Sequence, residues 1–153
     1  MLRLSKLTDY ATVILSFMAK KSEQFFTALE IAEGTGIHQP TVSKVLKLLV
    51  KARVLKSLRG ARGGYSLAQA PERITVAEVI KALEGPIAIT ECSISEQSCE
   101  QSSGCDIRGN WGVINQVIHD ALESVTLADM IRPTDKLQQE ISIPVSSLYA
   151  KPV

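Results

Sequence analysis

Cys92, Cys99 and Cys105 are the chain's only cysteines, and all three fall in one polar stretch, ITECSISEQSCEQSSGCD, residues 89–106. Six residues separate the first pair and five the second. Thiolates spaced in this way along a loop can converge on one centre, and soft thiolate sets select zinc, copper(I) or an iron–sulfur cluster. Structural zinc more often uses short C-x2-C or C-x4-C pairs, so the wider gaps lean toward a cluster, with zinc and free redox thiols as alternatives. A disulfide framework fits badly. An odd count leaves one thiol over, and 153 residues with 45% hydrophobic composition can bury a core without staples. Nucleophilic catalysis fits badly too, because an activated thiol needs a base or a cation beside it. This loop supplies mainly acids, no phosphate loop or paired-base motif occurs elsewhere, and no enzymatic activity is expected.

Charge is unevenly distributed along the rest of the chain. Residues 1–65 carry 11 Lys and Arg against 4 Asp and Glu, a balance of +7, whereas residues 66–153 carry 6 against 12, a balance of −6. Such a split suggests a polyanion-binding front half and a back half with another task. Near the N-terminus, the apolar run ATVILSFMA is preceded by Lys6 and Asp9, lacks an evident cleavage site and is too short to span a bilayer. A reducing, cytoplasmic location and no membrane partner are expected.

Leu4, Leu7, Ala11, Ile14 and Met18 recur at helical spacing and predict a helix over roughly residues 5–20. Thr27 and Glu30 form a capping box that should open a second helix, which stops at Gly34 and Gly36. Pro40 fits the first turn of a third, PTVSKVLKLLVKAR. There Val42, Val45, Leu46 and Leu49 make a buried stripe, Ser43, Lys44, Lys47 and Lys51 face away, and His38, Gln39 and Thr41 crowd the N-terminal end. Two helices joined by a glycine turn outline a helix-turn-helix, whose second helix would read base edges while its lysines neutralise phosphates. Strand-forming residues at Val54–Leu58 and Tyr65–Ala68 flank RGARGG, predicting a hairpin wing with Arg59 and Arg62 at its tip. These arginines suit a narrow minor groove. The expected fold is mainly α: a winged helix-turn-helix of three helices and a β-hairpin wing, with a long C-terminal dimerisation helix. Candidate DNA contacts are His38, Gln39, Thr41, Ser43, Lys44, Lys47, Arg59 and Arg62.

Several motifs, LTDYA, IAEGTGI, RGARGGYSLA, TVAEVIKALEG, the three cysteines and TLADMI, carry a resemblance over about residues 1–132. The chain resembles the winged-helix iron–sulfur regulators of bacteria, the IscR and NsrR group. Its opening MLRLSKLTDYAT and its cysteine arrangement look closest to the branch that regulates the SUF pathway of iron–sulfur cluster assembly. The resemblance implies an iron–sulfur cluster, 2Fe–2S or 4Fe–4S, held by Cys92, Cys99 and Cys105 and a fourth ligand. In the IscR type a histidine lies three residues after the last cysteine, but here that residue is Arg108. In the NsrR type an aspartate in the first helix of the partner subunit serves, and the matching residue is Asp9. Asp9 is therefore the expected fourth ligand; Glu91, Glu96, Glu100, Asp106 or an exogenous ligand are the alternatives. His119 falls inside the next helix, where a packed or exposed imidazole is the ordinary reading.

That helix, within DIRGNWGVINQVIHDALESV, has a near-heptad apolar stripe of Ile107, Trp111, Ile114, Ile118, Ala121 or Leu122, and Val125. Pairing across a two-fold axis would bury the stripe and present two recognition helices to successive major-groove turns. A homodimer on a two-fold operator of double-stranded DNA is expected, with holo and apo forms differing in DNA affinity. The SUF-like branch implies repression of assembly genes when clusters are plentiful. A zinc- or thiol-based redox repressor on the same scaffold is the rival function. The expected organisation is a DNA-binding domain at 1–85, a cysteine loop at 86–106, a dimerisation helix with a short following helix at 107–132, and a loosely ordered tail at 133–153.

Overall fold

The apolar stripe of PTVSKVLKLLVK sinks completely into the protein: Val42, Val45, Leu46 and Leu49 are fully buried. Removing each such side chain from water stabilises the fold by about 1.5–3 kcal/mol, so this helix organises the core. In the computed structural model, which describes residues 3–60, 63–95 and 105–133, it is the third element. The order is α1 (Lys6–Ala19), α2 (Ala28–Thr35), α3 (Gln39–Lys51), β1 (Leu55–Leu58), β2 (Gly64–Leu67), α4 (Val76–Glu84), α5 (Arg108–Glu123) and α6 (Leu127–Met130), with 3-10 turns at Pro71–Arg73 and Glu91–Ser93.

Local sequence explains most of the boundaries. Ser5 caps α1 by accepting from the Thr8 amide, and the Thr27–Glu30 box opens α2 as expected. The same box recurs at Thr75–Glu78 and Thr126–Asp129, opening α4 and α6. Gly36 ends α2 in the left-handed conformation, with φ of 72°. Gly34 departs from expectation, because it lies within α2, where a Cβ would collide with the Phe17 ring. Its role is close packing of α2 on α1. Leu4 also departs: it precedes α1 and is 49% exposed, while Ala11, Ile14, Leu15 and Met18 carry the buried face.

The hairpin pairs Leu55 with Leu67 and Leu58 with Gly64. Phe26 adds a one-residue third strand, exchanging backbone hydrogen bonds with Tyr65 at 2.9 and 2.8 Å. Gly64 permits this approach, since its φ is +149° and a Cβ there would stand 2.6 Å from the Phe26 carbonyl oxygen. The wing is thereby fixed to the segment between α1 and α2, and the fold is a winged helix-turn-helix.

The C-terminal elements divide their packing. On α6, Leu127 and Ala128 are buried, the Leu127 amide donates to the Ile74 carbonyl at 2.7 Å, and the helix packs on α1. Helix α5 packs against α4, yet none of its residues is buried; Ile107, Val113 and Ile114 are 56%, 51% and 43% exposed. Among the described residues no helix is long and apolar enough to cross a membrane. The tail expected at 133–153 lies, beyond residue 133, outside the described residues.

Candidate DNA interface and cysteine site

Burial of one face of α3 fixes what the other presents. Lys44, Lys47 and Lys51 are exposed, at successive intervals of three and four residues along one side. At the N-terminal end His38 and Gln39 are exposed, while Thr41 and Ser43 are partly so. His38 occupies the N-cap position without making a side-chain capping hydrogen bond, so its ring is not committed to the helix end. Arg59 is exposed at the wing; Arg62 lies outside the described residues. One cation escaped the sequence reading. Lys56 on β1 holds its Nζ 5.9 Å from the centre of the Phe25 ring, a cation–π contact at the base of the wing. The available signal was a lysine on a wing strand within the basic half of the chain.

Cys92 sits in the 3-10 turn Glu91–Ser93, half-buried, and this turn packs against α5. The Thr90 hydroxyl lies 3.1 Å from the Cys92 sulfur and 2.9 Å from the Ser93 hydroxyl. Cys105, also half-buried, stands just ahead of α5, and its carbonyl accepts from the Arg108 amide at 3.3 Å. Cys99, Glu96 and Glu100 fall outside the described residues, and Glu91 and Asp106 are exposed. Among the described residues no three His, Cys, Asp or Glu side chains are gathered as a metal-holding group. Free, half-buried thiols on either side of the intervening segment are nevertheless a donor set that suits a soft metal centre. Asp9 is exposed on the first turn of α1, and Val13, one turn further on, is 42% exposed.

Two side chains that the sequence reading passed over tie this region together. The Glu84 carboxylate, at the end of α4, accepts from the Ser5 amide at 2.8 Å and from the buried Thr8 hydroxyl. These bonds, the Thr8 hydroxyl first, hold its pKa below the usual glutamate value. The start of α1, where Asp9 lies, is thus fastened to the residue that begins the approach to Cys92. Further along that approach, Asn115 of α5 accepts from the Ile89 amide at 3.1 Å and donates to the Ile87 carbonyl at 3.2 Å. A polar residue between Ile114 and Val117 was the only hint of this in the sequence.

Known proteins match almost the whole of this architecture. The family described as Rrf2, iron-dependent transcriptional regulator, matches residues 4–133. The transcriptional regulator NsrR of Bacillus licheniformis is 31% identical over 146 residues, 92% of this chain and 100% of its own length. Among solved structures, CymR (YrzC), the global cysteine regulator of B. subtilis, superposes with a TM-score of 0.64 at 30% identity, covering 86% of this chain and 97% of its own. The structure of IscR from T. potens gives the same TM-score of 0.64 at 28% identity, covering 92% and 93%.

Proposed function

Since the chain belongs to the Rrf2 family of transcriptional regulators, we propose that it is a DNA-binding repressor whose operator affinity is set by an iron–sulfur cluster, and that it controls SUF cluster-assembly genes. One observation carries the reading furthest. The chain leading to Cys92 starts at Glu84, the end of α4, which is fastened to the start of α1, and the Cys92 turn packs on α5, a helix with no fully buried residue. Anything that binds the thiols therefore acts beside both the DNA-binding domain and a helix whose apolar stripe is only partly covered.

The protein's parts divide the work as follows. Helix α3 enters the major groove, with His38, Gln39, Thr41 and Ser43 toward base edges and Lys44 and Lys47 on phosphates. Arg59 and Arg62 of the wing reach the adjoining minor groove, whose negative potential is greatest where it is narrow. Helix α5 pairs with its copy across a two-fold axis, which hides Ile107 and Ile114 from water and sets the spacing of the two α3 helices. Cys92, Cys99 and Cys105 would hold the cluster together with Asp9 of the partner subunit, and the group would supply sensitivity to oxidants there. Asp9 suits this role because it points away from its own core and is followed by the exposed Val13. The cytoplasm, where thiols stay reduced, is the compartment in which such a set remains available.

The test is an absorption spectrum of protein purified without oxygen, with iron and acid-labile sulfide measured on the same sample and binding to duplex DNA compared before and after metal removal. Visible charge-transfer bands, matching iron and sulfide, and a change in DNA affinity on metal removal are expected. A colourless protein containing zinc would replace the cluster by a zinc switch. A metal-free protein whose DNA affinity follows thiol oxidation would replace it by a thiol-based one.

A further inference from the structure

The chain between α4 and Cys92 is held in two places. Glu84 fastens its start to α1, and Asn115 holds its middle to α5 through Ile87 and Ile89. A carboxamide carries a donor and an acceptor on one planar group, so it can bond to two backbone groups of a neighbouring segment as another strand would. Aspartate would keep only the acceptor at neutral pH, and leucine neither. Asn115 is partly buried, as are Ile87 and Ile89, which line a cleft with Ile80, Ile118 and Leu122. Ile89 stands three positions before Cys92, whose own turn packs on the same helix. A displacement at Cys92 therefore meets α5 at two successive points. Without the carboxamide, the part of the linker beyond the Glu84 anchor could absorb the movement by sliding over the isoleucine and leucine side chains of the cleft, which offer no directional restraint.

We propose that Asn115 is a positioning residue that latches the Cys92 segment to α5, so that a change at the cysteine site moves the helix. The direction of the signal rests on the regulatory reading above; the latch is a property of the chain itself. Its role differs from simple packing, because a packing residue would alter stability alike in the loaded and metal-free protein, leaving their relation to DNA unchanged.

The experiment compares wild type with Asn115→Leu and Asn115→Asp, each as the full chain purified without oxygen. A duplex selected by the loaded wild-type protein from a random-sequence pool is the DNA probe, with affinities measured before and after metal removal. Iodoacetamide modification is followed cysteine by cysteine, by mass spectrometry, in the metal-free protein. For Asn115→Leu, the metal-free DNA affinity should stay within a factor of about two of wild type, the ratio of loaded to metal-free affinities should fall toward one, and Cys92 should react about ten-fold faster after loss of two hydrogen bonds. Cys105 should keep its rate, and Asn115→Asp, which retains the bond from the Ile89 amide, should fall between the other two. An unchanged affinity ratio with an unchanged Cys92 rate overturns the latch. Should wild type bind no metal, the regulatory reading fails while the iodoacetamide rates still decide the latch: faster Cys92 modification supports it and an unchanged rate overturns it. If Asn115→Leu does not fold, Asn115→Asp decides by the same two readings.

Discussion

Glu84 accepts two hydrogen bonds from the opening turn of α1, one from a hydroxyl that is fully buried. Replacing it by alanine strips the Thr8 hydroxyl of its charged acceptor and leaves the Ser5 amide to water. The expected loss is about 1 kcal/mol once screening at this exposed carboxylate is allowed for, read as a lower urea midpoint with unchanged slope. Its pH dependence has a definite sign. The folded-state pKa is depressed below 4.5, chiefly by the Thr8 hydroxyl and then by the Ser5 amide. The contribution is therefore present above the unfolded value and fades as pH falls through the folded one. The gap between wild type and Glu84→Ala should accordingly narrow in acid. Residues such as this mark where the sequence stops being legible. Thr27–Glu30 could be read because its partners are three apart, whereas Glu84 and Ser5 are 79 residues apart and Asn115 and Ile89 are 26 apart. Only the fold brings them together.

Among the elements, α3 and α5 were legible for the same reason: each has enough turns for its apolar period to show. What differs is what covers the stripe. On α3 the chain's own core does so completely. On α5 no side chain is fully buried by the described residues, although α4 and the Cys92 turn lie against it and cover part of it. The one-residue strand at Phe26 was harder to foresee, because one residue cannot alternate. Gly34 was misread for another reason: its need is for space beside Phe17, and space is invisible in one dimension. Helix α5 also begins weakly, with Ile107 at its N-cap making no side-chain capping bond and Gly109 within its first turn. Its persistence should therefore depend on pairing. Ile114→Glu places a carboxylate in that pairing face on both chains, and each lost isoleucine forfeits about 1.5 kcal/mol or more. Across a two-fold axis the dissociation constant should rise by a factor on the order of a hundred. Sedimentation at graded concentration measures it, and a variant that sediments like wild type would remove α5 from the interface.

At the scale of the whole molecule, the opposing charges of the two halves explain how a chain of net charge +1 can bind a polyanion. The lysines of α3 face outward together, while the acidic excess lies in residues 66–153. Lys47→Ala should weaken binding to all duplexes alike and flatten the dependence of log affinity on log salt by about two per dimer, one phosphate contact being lost from each chain. A two-fold assembly makes a stronger demand when a site draws on both chains. Suppose one chain carries Asp9→Ala with its cysteines intact, and the other carries Cys92→Ala with Asp9 intact. If Asp9 serves the partner subunit's cysteines, either homodimer lacks complete sites, but the mixed dimer regains one: the intact cysteines of the first chain face the intact aspartate of the second. If Asp9 serves its own chain's cysteines, the mixed dimer has no complete site. Mixed dimers purified through two different affinity tags should therefore hold about half the wild-type iron and sulfide per dimer, as the pairing geometry requires, while both homodimers remain deficient. Equal deficiency in all three would confine the site to one chain and would leave α5 alone to carry communication between subunits.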